Sequence, residues 1–383
     1  MFYIVNTLSP SYHQMTLDEL FSADDAKPVI VSNDFTNTHT RCVDKFSKAA
    51  LDKADVNKMY SSLIQFNKRW DYLREKPRES LYETFRIPKK TKGFREINAP
   101  NEELKQALRE LKFLLESVFI PNGTAVYHTS AFAYIKGRNP YACVKRHQQN
   151  ESKWKVALDF HDFFGSVTLD YTMKMLSCIY PYCFLAMFPE GREELEKALE
   201  LGFLHGGLPQ GTPLSPFLTN VIMIPIDYTL ANALHNFDKN SFVYTRYADD
   251  IFISSKFNFN YKNVQSLVLK TIKDFEAPFT LNCDKTKYGS SAGSNWMLGL
   301  MLNKNNDITV GAKNKRRLKS QMSNYLMDRK NGVRWSMQEI LEMEGYRSYV
   351  SSIEKDTMMQ IISYLNKRFG TDYAACIKAD LAA

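Results

Sequence analysis

No apolar run in this 383-residue chain approaches the roughly 20 residues that span a bilayer, so no transmembrane helix is predicted. Met1 to Asn6 is too short an apolar stretch for a secretory leader and has no basic residues ahead of it. These absences predict a cytoplasmic protein that does not engage a membrane. Cysteine is sparse: Cys42, Cys143, Cys178, Cys183, Cys283 and Cys376 are scattered, with no Cys-x-x-Cys pair. That spacing speaks against zinc and against a disulfide framework, and leaves free structural thiols. Internal repeats and low-complexity tracts are also missing.

What remains is a globular composition, 44% hydrophobic and 13% aromatic, in a chain long enough for two or three domains. The net charge of +8 points to an anionic partner. Its distribution is more specific than its size. Lys313 to Lys319 carries five basic residues in seven, and Lys89 to Arg95 carries four in seven. Either could be a solvated charged face; together they would suit an electrostatic channel for phosphates.

Helical apolar spacing runs from Asp44 to Arg74, with Phe46, Ala49, Leu51, Val56, Met59 and Leu63 in the stripe. Pro88 and Gly93 bracket a short hairpin. A strong amphipathic helix is predicted over 101–119, a strand over 154–160, a buried helix over 216–236 and another helix near 261–275. Strand-like segments follow at 279–283, 296–302 and 307–310. From 313 onward the pattern is helical, with breaks expected at Asn331-Gly332 and Gly345. Helices interleaved with an antiparallel sheet, followed by a helical C-terminal part, make an α+β protein.

Chemistry concentrates at Tyr247-Ala-Asp-Asp250, between the β-prone runs 241–246 and 251–253. A two-residue loop between such runs predicts a β-hairpin, with Asp tolerating the backbone angles of the turn. The hairpin would present two carboxylates together at its tip. Like charges that close repel, and a divalent cation relieves them. Asp159 ends the predicted strand 154–160 and would add a third carboxylate; Asp159 or Asp162 would equally suit a helix N-cap. Three carboxylates can hold two Mg²⁺ ions about 3.5–4 Å apart for an in-line displacement at phosphorus. Between them lies His205-Gly-Gly-Leu-Pro-Gln-Gly-Thr-Pro-Leu-Ser-Pro216, whose glycines permit close backbone approach to a ligand and whose prolines stiffen the loop.

In this order and spacing, Asp159 with Phe163-Phe164, Gly207-Leu-Pro-Gln-Gly with Pro213-Leu-Ser-Pro216 and Asn220, and Tyr247-Ala-Asp-Asp250 resemble the motifs of bacterial reverse transcriptases. Group II intron, retron and phage-defence enzymes share them, and the resemblance covers roughly residues 80–350. It implies a right-hand polymerase with fingers, palm and a helical thumb. The expected division is a helical, RNA-binding extension at 1–80, fingers at 81–158, palm at 159–310 with part of the fingers at about 170–205, and thumb at 311–383. The implied metal ligands are Asp159, Asp249, Asp250 and the Phe160 carbonyl, holding two Mg²⁺ with Mn²⁺ as a substitute. Phe164 matches the aromatic gate that excludes a 2′-hydroxyl. Gln210 and Gly211 match the loop beside the incoming nucleotide, and Lys89 and Arg95 the hairpin that clamps its triphosphate. Lys285 matches the lysine near the leaving pyrophosphate. Gly299 resembles the primer-grip turn. Lys313, Lys315, Arg316, Arg317 and Lys319 would track the duplex backbone, and Arg138 joins the expected nucleic-acid contacts.

Two segments depart from the retron pattern. Arg138 to His147 carries a distorted Asn-Ala-x-x-His element, and Met297-Leu-Gly299 stands where retrons read Val-Thr-Gly. The seventy or so residues expected for the thumb leave no place for the nuclease or DNA-binding segments of intron proteins. The resemblance therefore implies an RNA-directed DNA polymerase that copies a dedicated structured noncoding RNA, with dNTPs and an RNA–DNA duplex as partners, in antiphage defence. Its alternatives are a retron enzyme making a small RNA-linked DNA, and template-independent or protein-primed synthesis from one of the 21 tyrosines or a serine. A non-enzymatic alternative is an RNA-binding sensor with a relic palm. Oligomeric state leaves no trace in the sequence.

Overall fold

The computed structural model describes residues 53–89, 93–117, 127–237, 242–291 and 296–382. Residues 1–52 of the predicted extension, with Phe46, Ala49 and Leu51 of its stripe, lie outside them. The first described helix, α1 (Lys53–Trp70), buries Val56, Met59, Leu63 and Phe66 along one side. Strands β1 (Tyr82–Pro88) and β2 (Phe94–Pro100) then form the bracketed hairpin, with Ile87 opposite Arg95. Helix α2 (Glu102–Ser117) starts after Asn101, whose side chain accepts from the Leu104 amide at 2.9 Å. It buries Leu104, Leu108, Leu111 and Leu115, each contributing about 1.5–3 kcal/mol relative to exposure.

Helix α3 (Pro140–Gln149), capped by Asn139, leads into β3 (Trp154–His161). Helices α4 (Leu169–Leu176), α5 (Tyr182–Ala186) and α6 (Pro189–Glu200) follow. The single helix predicted over 216–236 is two, α7 (Ser215–Ile222) and α8 (Ile224–Phe237), bent by 42°. Pro225 is the cause: it offers no N–H to the preceding turn and its ring crowds it. Strands β4 (Phe242–Tyr247) and β5 (Asp250–Ser255) make the expected hairpin, and α9 spans Tyr261–Asp274.

The main sheet is antiparallel, in the order β4-β5-β3, with β6 (Thr280–Leu281) and β7 (Lys287–Ser290) both on the outer edge of β3. A smaller sheet joins β8 (Trp296–Met297), β9 (Leu300–Leu302) and β10 (Ile308–Thr309). The C-terminal helices are α10 (Ala312–Lys330), α11 (Met337–Ile353), α12 (Lys355–Phe369) and α13 (Tyr373–Leu381). The expected break at Gly345 does not occur. Gly345 lies inside α11, where burial of Ile340, Met343 and Val350 outweighs the ~1 kcal/mol helix penalty of glycine.

Two cores flank the main sheet. Val156, Leu158, Phe160, Ile251 and Ile253 point into the first, with α1, α2 and α4 to α9. On the opposite face, Phe252 joins Cys143 and Val144 of α3, the small sheet and the C-terminal helices. This is the α+β architecture expected, with the C-terminal helices joined to the sheet by a continuous apolar core. No single described helix is long and apolar enough to cross a membrane.

Candidate active site

Strand alternation decides which side chains meet. Asp159 on β3 pairs directly with Asp250 on β5, in the same ladder in which Ala157 pairs with Phe252. Directly opposed residues share a face, with Cβ atoms about 4.5–5.5 Å apart. Asp159 and Asp250 therefore lie together on the face opposite the first core. Asp249 occupies the β4–β5 turn beside Asp250, and its carbonyl accepts the Phe160 amide at 3.2 Å.

The turn corrects two expectations. The left-handed residue is Ala248, at φ +57, and neither aspartate needs that conformation. Nor do the carboxylates stand free at a tip: Asp250 is already the first residue of β5, and both are partly buried. Burial followed by the charges of Asp249 and Asp159 pushes the Asp250 carboxyl up to about 7. Burial also raises Asp249, with Asp159 adding to it. Lys285 supplies one counter-charge, its Nζ 2.9 Å from Asp159 Oδ2. Even with the charges of Lys285, Arg95 and Lys287 acting on them, Asp249 and Asp250 stay raised, and the three carboxylates offer an all-oxygen, hard donor set that suits a hard divalent cation. Among the described residues, no group of three or more His, Cys, Asp and Glu side chains is closed up as a ready ligand set.

A buried ion pair, which the sequence reading did not identify, holds this turn. Arg246 and Asp227 are both fully buried, with Arg246 Nη2 2.8 Å from Asp227 Oδ2 and Nε 2.9 Å from Oδ1. The Tyr244 hydroxyl donates to the same carboxylate at 2.6 Å. Arg246 Nη1 then reaches Asn220 Oδ1 at 3.1 Å and the Ala248 carbonyl at 3.3 Å. An arginine inside a β-prone apolar run was the available signal, since a buried charge needs a partner.

The glycine loop bridges the hairpin and the sheet. The Leu208 amide donates to the Phe164 carbonyl at 3.2 Å, and a Cβ on Gly207 would collide with the Gly165 backbone. Gly211 adopts φ +115, and its Cβ would stand 2.9 Å from Ile97 Cγ2 and 3.0 Å from the Asn98 carbonyl of β2. The Gln210 carbonyl accepts the Asn98 amide at 2.8 Å. The loop thus ties β2, which carries Arg95, to the segment that carries Phe164. Arg95 and Lys89 are exposed, and the Arg95 charge reaches Asp249. Phe160 points its ring into the first core, leaving only backbone toward the carboxylates. Phe164 is half-buried, edge-to-face with Phe163 at 5.6 Å.

Behind the carboxylates, on the same face of β3, lies Lys155, which the sequence reading also passed over. It is 5% exposed, its Nζ 2.6 Å from the Trp296 carbonyl of β8, and burial pushes its ammonium down to about 7. It links β3 to the β8–β9 turn, where Leu298 and Gly299 both have positive φ. His147, from the distorted motif, packs into this face. Its Nδ1 lies 2.6 Å from Ser254 Oγ and its Nε2 2.8 Å from Thr245 Oγ1, and burial lowers it to about 3. Arg138 spends its guanidinium on its own loop, donating to the His128 and Ala131 carbonyls at 2.6 and 2.5 Å.

The basic residues of α10 are not equivalent. Lys313 and Arg316 are exposed. Lys315 is bound to Glu354 at 2.6 Å, Arg317 lies over the Tyr346 ring, and Lys319 sits 3.6 Å above the Tyr364 ring.

Comparison with known proteins identifies the family of the chain. The family described as reverse transcriptase (RNA-dependent DNA polymerase) matches residues 87–326. The retron Ec83 reverse transcriptase of Escherichia coli is 25% identical over 314 residues, covering 78% of this chain and 89% of the relative. The retron Ec73 reverse transcriptase of the same organism is 26% identical, covering 70% and 82%. Among solved structures, apo telomerase from Candida tropicalis truncated from its C-terminal domain aligns with a TM-score of 0.41 and 15% identity, over 61% of this chain and 55% of that one.

Proposed function

Since the chain belongs to the reverse transcriptase family and so is an RNA-directed DNA polymerase dependent on divalent metal, we propose that its chemistry runs at Asp159, Asp249 and Asp250. The register pairing of Asp159 with Asp250, with Asp249 in the adjoining turn, is the observation that carries this reading. These carboxylates and the Phe160 carbonyl would hold two Mg²⁺ ions. Such ions supply activation of a primer 3′-hydroxyl and charge stabilisation at the transferred phosphoryl group. Around them, Arg95 and Lys89 bind the triphosphate, Arg by bidentate contacts and Lys as a point charge. The Gln210–Gly211 backbone forms the floor beside the nucleotide. Phe164 occupies the space a 2′-hydroxyl would need and favours deoxynucleotides. Lys285, already paired with Asp159, carries positive charge to the pyrophosphate side as the leaving group departs. Arg138, Gly299, Lys313, Lys315, Arg316, Arg317 and Lys319 would lie along the nucleic acid, directly or through the elements they brace. In this reading fingers, palm and thumb divide near residues 81, 159 and 311.

The template we infer is a structured noncoding RNA, copied in antiphage defence. The retron relatives favour a second reading, in which the same palm makes a small RNA-linked DNA. Purified chain with RNA template, DNA primer, dNTPs and Mg²⁺ should extend DNA, and the Asp249→Ala, Asp250→Ala double variant should not. Equal activity in both would overturn the proposal. Sequencing the nucleic acid that copurifies separates the biological readings: one repeated cDNA covalently joined to RNA indicates the retron type, and an unlinked repeated cDNA the defence type.

A further inference from the structure

Tyr134 is the one exposed residue in a buried run. Ala131, Phe132, Ala133 and Ile135 are each 8% exposed or less, whereas Tyr134 is 59% exposed. Its φ is +59, a left-handed conformation that a bulky aromatic keeps only where its surroundings impose it. Those surroundings are the catalytic elements themselves. The Arg246 amide donates to the Ser130 carbonyl at 2.7 Å, and the Phe132 amide returns a bond to the Arg246 carbonyl at 2.9 Å. Asn220 Nδ2 donates to the Ala133 carbonyl at 2.8 Å, while the same Asn220 accepts from Arg246. The network under the aspartate turn therefore also aims Tyr134. Backbone strain of this kind clusters at ligand-contact sites.

The ring's neighbours indicate what that ligand is. It stands edge-to-face with Phe164, centroids 6.4 Å apart and planes at 62°. Besides burial, the charges that act on its phenol are those of Asp249, Tyr247 and Arg95. Tyr134 thus lies among the groups assigned to the sugar, the reacting phosphate and the triphosphate of one nucleotide.

We propose that Tyr134 is a nucleotide-contact residue, forming with Phe164 an aromatic corner that packs against the sugar and base of the incoming deoxynucleoside triphosphate. The inference rests on the polymerase reading of the site. It is tested by single-nucleotide extension of a DNA primer on an RNA template. Tyr134→Ala should raise the KM for dNTP about tenfold, within the range that aromatic stacking on a base supplies. The KM for primer–template and the melting temperature should stay near those of the unaltered chain. Tyr134→Gly relaxes the +59 backbone and should lose the same affinity, which separates the ring from the strain, and Tyr134→Phe should recover most of it. A dNTP KM within about twofold of the unaltered chain in Tyr134→Gly, or a rise confined to primer–template, overturns the assignment. Absence of extension by the unaltered chain removes the polymerase reading, and this contact with it.

Discussion

At the residue scale, the aspartate turn rests on groups buried away from solvent. The Arg246–Asp227 pair is fully buried, and removing one partner strands a charge away from water. Asp227→Ala should cost about 3–5 kcal/mol of unfolding free energy, measured by urea denaturation. Replacing both, with Arg246→Met and Asp227→Leu, should cost less than the single change, because no lone charge remains. Extension should still fall in the double variant, since nothing then grips the Ala248 carbonyl. Equal activity would show that the pair serves stability alone. Lys155 makes a second case, in which pH is the probe. Its folded-state value near 7 lies below the usual lysine value of 10.5, so between these limits the unfolded chain binds the extra proton. Stability must therefore rise with pH through that window, and the penalty is fully present below pH 7. From pH 7 to 9 this group should add up to about 1.4 kcal/mol per pH unit. Lys155→Met should flatten that slope and stabilise the chain at pH 6.5; an unchanged slope would refute the assignment.

At the scale of elements, the sequence was most legible where one local force dominates. The leucine stripe of α2 and the β4–β5 hairpin stand within about two residues of where periodicity and β-propensity put them. Misreadings arose where forces compete. Pro225 split a helix whose apolar pattern is continuous, and tertiary burial carried α11 through Gly345. The glycine loop shows both limits. Its composition announced close backbone approach, but only the fold revealed that Gly207 packs on Gly165 and Gly211 on β2. Gly207→Ala should therefore displace the loop from the Phe164 segment. A misplacement of about 1 Å can cost about 10²-fold in rate, so kcat/KM for dNTP should fall by that order, with far-UV circular dichroism unchanged. Activity close to that of the unaltered chain would mean the loop tolerates the shift.

For the whole molecule, the net charge of +8 is distributed unequally in its consequences. Each phosphate contact contributes about 0.9 to the slope of log affinity against log salt on duplex DNA. On an RNA–DNA duplex, Arg316→Ala should lower the slope by roughly one. Lys315→Ala should leave the slope and instead lower the melting temperature, because Lys315 is engaged with Glu354. The reverse result would exchange their roles. Sequence alone determined the α+β class, the three aspartates in their order and the family, because these rest on residue type and local spacing. Only the tertiary structure decided that Asp159 faces Asp250 across one ladder, that Arg246 and Asp227 lock the β4–β5 turn, and that Tyr134 is held out beside Phe164. Each of these joins segments tens of residues apart, brought together by burial of the two cores, and no local pattern in the chain encodes such a meeting.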